Sequence, residues 1–201
     1  MSLFKNEDER LFLALVPDPA TARRIQQLTG MLHRAYGFTS KLIEPDRLHV
    51  SLFFLGGLPS GMVRTVCTAI EDLRIPPFDV VFDRTVSFQG KAGNRPFVLI
   101  GDDGPSRLKS FRQMLGTVLA QSGLRRRANT NFVPHVTLLY DARSVEEHPV
   151  APIAWTVSEL VLIRSERGHE HLKRWPLREE SRPSTPASSL CPSVSQIPPS
   201  S

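Results

Sequence analysis

Leu48-His-Val-Ser-Leu-Phe-Phe-Leu55 and Pro134-His-Val-Thr-Leu-Leu-Tyr140 decide how this chain is read. Both are apolar runs opened by His–Val–Ser/Thr–Leu, and β-branched and aromatic residues in such runs favour a strand. Side chains alternate along a strand, so His49 and Ser51 point one way while Val50 and Leu52 point the other. His135 and Thr137 stand in the same relation to Val136 and Leu138. Each strand therefore buries an apolar face and presents an imidazole and a hydroxyl, with Cα atoms about 6.6 Å apart.

The surroundings of the two segments share an order. Arg10-Leu-Phe-Leu-Ala-Leu15 and Arg95-Pro-Phe-Val-Leu-Ile100 both open with a basic residue and continue as an apolar strand. Pro17 stops the first strand, Asp18-Pro19 reads as a helix cap and first turn, and Ile25, Leu28, Leu32 and Ala35 follow at helical spacing up to Gly37. In the second cycle Pro105-Ser106 precedes Leu108, Phe111, Leu115 and Val118. Then comes a strand carrying His–Val–Ser/Thr–Leu. Arg10 and His49 are 39 residues apart, Arg95 and His135 are 40 apart, and the matched order predicts an internal duplication with pseudo-repeats at about 10–56 and 95–140. A duplicated βαβ unit places equivalent strands about a pseudo-two-fold axis, which sets His49 and His135 facing one another across a cleft.

Between the repeats, Val63, Val66, Cys67, Ile70 and Leu73 predict another helix, ended by Pro76-Pro77, and 78–88 predicts a strand. Gly90-Lys-Ala-Gly-Asn94 reads as a hairpin turn, because it lacks the Gly-x-x-x-x-Gly-Lys-Ser/Thr form of a phosphate loop. Further strands are expected over 157–163 and 171–177. Residues 1–9 read as a flexible start, 10–180 as the folded domain, and the Pro/Ser-rich 181–201 as a disordered tail.

Composition narrows the classes. The 201 residues suffice for one core, and no apolar stretch has the length to span a bilayer. Two cysteines, Cys67 in a helical pattern and Cys191 in the tail, make neither a disulfide framework nor a zinc site, so a reducing cytoplasm is the expected compartment. The net charge of +5 fits a polyanionic partner, with Arg125-Arg126-Arg127 the tightest basic cluster. Neither a Gly-x-Ser-x-Gly elbow nor a dinucleotide fingerprint is present.

Taken singly, a histidine on a half-buried strand is usually structural. Two copies of one histidine–hydroxyl tetrapeptide outweigh that reading. In-line displacement at phosphorus places attacking and leaving oxygens on opposite sides, so it needs a base on one side and an acid on the other. Histidine, with an ordinary pKa near 6.5, serves either role at neutral pH. Ser51 and Thr137 can donate to the non-bridging oxygens as charge builds there. No cofactor is called for, and no carboxylate or third histidine stands at a metal-ligand spacing from the pair. His33 in a helix, His148 in a loop, and His169 and His171 near a turn are expected to be structural.

On these residues the sequence resembles the 2H phosphoesterases, and within them the RNA 2′,3′-cyclic phosphodiesterases once called 2′-5′ RNA ligases (LigT-like). The likeness spans about 10–177. It is carried by Arg10-Leu-Phe-Leu-Ala14, Leu48-His-Val-Ser-Leu-Phe-Phe-Leu-Gly56, Phe132-Val-Pro-His-Val-Thr-Leu-Leu139 and Leu172-Lys-Arg-Trp-Pro-Leu177. Ser51 stands where threonine is commoner, and 128–131 lacks a basic residue often found there, a charge that Arg125 to Arg127 are expected to supply. The resemblance implies a two-lobed α+β fold, with an antiparallel sheet in each lobe, outer helices and the site in a central cleft. It implies hydrolysis of a 2′,3′-cyclic phosphate at an RNA 3′ end, tRNA fragments included, to a 2′-phosphate. His135 would be the proton acceptor, His49 the proton donor, and Ser51 and Thr137 the phosphate ligands. Reversal to 2′-5′ joining, hydrolysis of a small cyclic nucleotide, and an idle RNA-binding module are the alternatives. A monomer is expected.

Overall fold

The computed structural model describes residues 10–101, 105–124, 132–166 and 168–178. The N-terminal nine residues, Arg125 to Arg127, segment 128–131 and the Pro/Ser-rich tail lie outside them. The elements run β1 (Leu11–Leu15), α1 (Pro19–Tyr36), a 3₁₀ turn (Pro45–Arg47), β2 (Val50–Gly56), α2 (Ser60–Glu71), β3 (Phe78–Ser87), β4 (Arg95–Ile100), α3 (Pro105–Gln121), β5 (His135–Asp141), β6 (His148–Val157), β7 (Glu159–Arg164) and β8 (Glu170–Pro176).

Asp18 explains where α1 begins. Its carboxylate accepts from the N–H groups of Ala20 at 2.9 Å and Thr21 at 3.0 Å, satisfying donors that a helix start leaves open. Gly37 ends the helix with φ 63°, a left-handed conformation that glycine adopts without a Cβ penalty. In α3 the buried stripe is Leu108, Phe111, Leu115 and Leu119, so Leu119 takes the core position expected of Val118.

The eight strands form one antiparallel sheet in the order β6-β3-β4-β5-β2-β1-β7-β8. It divides into two four-stranded halves that meet where β5 and β2 pair at Val136 and Val50. β1–β2 in one half and β4–β5 in the other occupy corresponding places beside this seam. α1, which follows β1, packs on β5 and β6 of the opposite half. α3 lies on β3 and α2, and reaches β2 through Arg112. Leu11, Leu13 and Leu15 join these helices in the main core, whereas Phe12 and Ala14, on alternate positions, pack with Val161 and Ile163 on the other face.

Two differences from the sequence reading have physical causes. The sequence reading places His148 in a loop before Pro149, whereas residues 148–157 form β6, with Pro149 and Pro152 inside it. β6 is an edge strand paired only to β3, where missing N–H donors are tolerated. The histidine strands also begin later than expected: β2 starts at Val50 and β5 at His135, so His49 stands one residue ahead of its strand.

Candidate functional site

Val50 opposite Val136 fixes the geometry of the seam. Carried one residue either way, the antiparallel register sets His49 across from Thr137 and Ser51 across from His135. Val50 and Val136 are buried in the core, so the four flanking side chains share the opposite face. All four line one cleft of about 350 Å³.

Each imidazole is oriented by its own backbone. His49 Nδ1 lies 2.7 Å from the carbonyl of Arg47, and His135 Nδ1 lies 2.8 Å from that of Val133. A carbonyl only accepts, so Nδ1 carries the proton and Nε2 is left for the cleft. His49 Nε2 sits 3.0 Å from Ser51 Oγ, whose hydroxyl donates to it when the ring is neutral. Burial pushes both pKa values below the ordinary histidine range, against the opposing pull of the carbonyls; His135, Arg47 and His171 lower that of His49 further.

The sheet adds two residues that strict alternation hides. β1 pairs Ala14 with Ser51 but Leu13 with Phe53, leaving Leu52 without a partner position. β4 pairs Val98 with Thr137 but Phe97 with Leu139, leaving Leu138 in the same situation. These matched β-bulges shift the alternation by one residue. Phe54 and Tyr140, each five residues after its histidine, therefore return to the cleft face, 57% and 44% exposed. The bulge carbonyls are not orphaned: Arg112 Nε donates to Leu52 at 3.1 Å, and Ile43 N–H donates to Leu138 at 2.9 Å. The sequence signal was a doubled apolar pair, Leu52-Phe53 or Leu138-Leu139, inside an alternating pattern and followed by an aromatic residue.

His169 was expected to be structural, yet it lines the cleft. Its ring packs against His49 at 4.9 Å between centroids and against Phe12 at 5.5 Å. Arg10 and Arg47 also line the cleft. The remaining expectations separate. His33 Nε2 donates to the Ser40 carbonyl at 2.9 Å, and His148 Nε2 bonds Tyr36 Oη at 2.8 Å and Thr85 Oγ1 at 2.9 Å, so both serve the scaffold. His171 lies on β8 opposite Ile163 of β7, and Cys67 is buried in the core.

The fold and its central cleft are those of LigT-type phosphoesterases. E. coli LigT complexed with 3′-AMP superposes with a TM-score of 0.66 at 26% identity, covering 84% of this chain and 98% of that one. The same protein complexed with phosphate gives 0.64 at 26%, covering 87% and 100%. The family model of the 2′-5′ RNA ligase superfamily matches residues 16–169. An RNA 2′,3′-cyclic phosphodiesterase of Escherichia coli K12 is 31% identical over 186 residues, 87% of this chain and 99% of its own. One from Archaeoglobus fulgidus is 25% identical over 129 residues, 64% of this chain and 70% of its own. This chain belongs to the 2′-5′ RNA ligase superfamily.

Proposed function

We propose that the chain is an RNA 2′,3′-cyclic 3′-phosphodiesterase that opens a terminal cyclic phosphate to a 2′-phosphate by metal-independent acid–base catalysis. The observation that carries this reading is the His49–Ser51–His135–Thr137 tetrad about the Val50–Val136 pair. The relatives named for this activity support it. Phe54 and Tyr140 offer ring faces on which bases can stack beside the phosphate seat. The cleft is built from one chain, so a monomer suffices, and the substrate is a cytosolic RNA end.

In the proposed reaction a water oxygen attacks phosphorus while His135 Nε2 takes its proton. The phosphorus–O3′ bond breaks, and His49, protonated beforehand on Nε2, gives that proton to the departing O3′. The products are a 2′-phosphate and a free 3′-hydroxyl. His49 ends neutral and His135 protonated, and exchange with solvent restores both. When His49 is protonated its Nε2 no longer accepts from Ser51, which frees the Ser51 hydroxyl to donate to a non-bridging oxygen. Thr137 donates from the other strand. The cyclic phosphate is an anion, and its arrival favours the imidazolium that burial disfavours in the free protein.

The test uses an oligonucleotide ending in 2′,3′-cyclic phosphate, with EDTA present. His49→Ala and His135→Ala are each expected to lower kcat by about 10²- to 10⁴-fold while leaving the fold intact by circular dichroism. Turnover unchanged in both variants, or abolished by EDTA in the native chain, would overturn the proposal.

A further inference from the structure

His169 sits against His49 much as Phe88 sits against His135. The ring centroids are 4.9 Å apart at 71° in the first pair and 5.0 Å apart at 71° in the second. Phe88 follows β3 and His169 follows β7, strands that hold corresponding places third from the seam. Each cleft histidine thus has an aromatic ring set at a steep angle against it, delivered by the turn beyond the third strand. Rings at such angles and distances are in the favourable edge-to-face range.

The two partners are not chemically alike. His169 Nδ1 is buried with no nitrogen or oxygen partner. The rings around it are those of Phe12, at 70° to it, and His49. The His169 pKa is lowered to about 4, chiefly by burial and then by His49, Arg47 and His171. His169 is therefore a neutral imidazole at neutral pH. The other charged or titratable groups around this corner are Arg10, Asp46, Arg47, His135 and His171.

We propose that His169 is a positioning residue for His49. Its ring wedges the His49 imidazole against Phe12, so that Nε2 faces the phosphate seat, and it shields that imidazole from water. Phe12 completes the wedge, 5.0 Å from His49 between centroids. The Arg47 carbonyl fixes one edge of the His49 ring, and the two aromatic neighbours fix its plane. The inference rests on the proton-donor role proposed for His49, but one arm of its test needs no turnover.

His169→Ala opens the wedge and admits water, while His169→Phe restores the kind of ring that His135 has. With a cyclic-phosphate oligonucleotide, His169→Ala is expected to lower kcat by about 10- to 100-fold with KM within about twofold, and His169→Phe to recover most of that loss. By NMR titration of the free protein, the His49 pKa should rise in His169→Ala, because burial is the main cause that lowers it, and should stay low in His169→Phe. Three results would overturn the inference: an unchanged His49 titration in His169→Ala; a rise in KM without loss of kcat; or a folded His169→Phe as slow as His169→Ala. The last two assign His169 to the substrate instead. If no oligonucleotide is turned over by the native chain, the titration still decides the placement, separately from the reaction.

Discussion

His49 and His135 each hold their resting proton on Nδ1 because a carbonyl two residues upstream accepts it. Sequence adjacency alone produces that contact, which is why both half-sites have it. The consequence lies in the pH profile. In the free protein both pKa values are depressed by burial, so the limbs of kcat/KM, which report the free enzyme, should fall on the acid side of the ordinary histidine range. With an anionic cyclic phosphate in the cleft, the imidazolium forms are favoured. The kcat profile, which reports the complex, should then be displaced toward higher pH. Superimposed kcat and kcat/KM profiles would show that substrate charge does not reach the histidines. Stability follows the same sign. A folded-state pKa below the unfolded value means that the unfolded chain binds more protons, so His49, His135 and His169 each destabilise the folded state as pH falls below 6.5, and the contribution of His169 extends down to about 4.

At the scale of elements, the bulges turn a strand into a site wall. Were Leu52 paired in regular alternation instead of bulged, Phe53 would face the cleft and Phe54 the core. Arg112 on α3 holds this bulge: Nε donates to the Leu52 carbonyl, and the guanidinium lies 4.6 Å from the Phe53 ring centroid and 4.2 Å from that of Phe132. Arg112→Ala removes a charge-assisted hydrogen bond and two cation–π contacts, for an expected loss of about 2–4 kcal/mol in urea unfolding. Arg112→Lys keeps the charge but not the planar fork, and should recover less than half of the loss. A loss below about 0.5 kcal/mol for Arg112→Ala would show that β2 keeps its bulge unaided. This level also shows what could be read from sequence. The tetrad was legible because it needs only i, i+2 alternation on two strands and a duplication that pairs them. Phe54 and Tyr140 were not, because the doubled apolar pairs Leu52-Phe53 and Leu138-Leu139 read as ordinary buried strand until pairing with β1 and β4 shows that the alternation changes phase. His169 was not legible for another reason: a turn between β7 and β8 comes to the cleft only through tertiary pairing. β6 was hidden by prolines that an edge position excuses.

For the whole molecule, the question is how a chain of net charge +5 meets a polyanion. Among the described residues, no helix is long and apolar enough to cross a membrane. Arg10 and Arg47 line the cleft at the His49 end, and neither has a carboxylate partner among the described residues. Arg84, Arg164, Lys173 and Arg174, by contrast, are ion-paired elsewhere on the surface. On the proposed reading a cyclic mononucleotide presents one phosphate, which the tetrad would hold. An oligonucleotide presents further phosphates, and Arg10 and Arg47 are the cleft-lining cations that would take one or two of them. For a single strand, each phosphate neutralised contributes about −0.7 to the slope of log affinity against log salt. Oligonucleotide kcat/KM should therefore fall more steeply with potassium chloride than mononucleotide kcat/KM, by a slope difference of about 0.7 to 1.4. Arg10→Ala combined with Arg47→Ala should bring the two slopes together. Parallel slopes in the native chain would instead mean that the cleft reads only the terminal nucleotide, with the basic charge spread over surfaces the substrate does not touch.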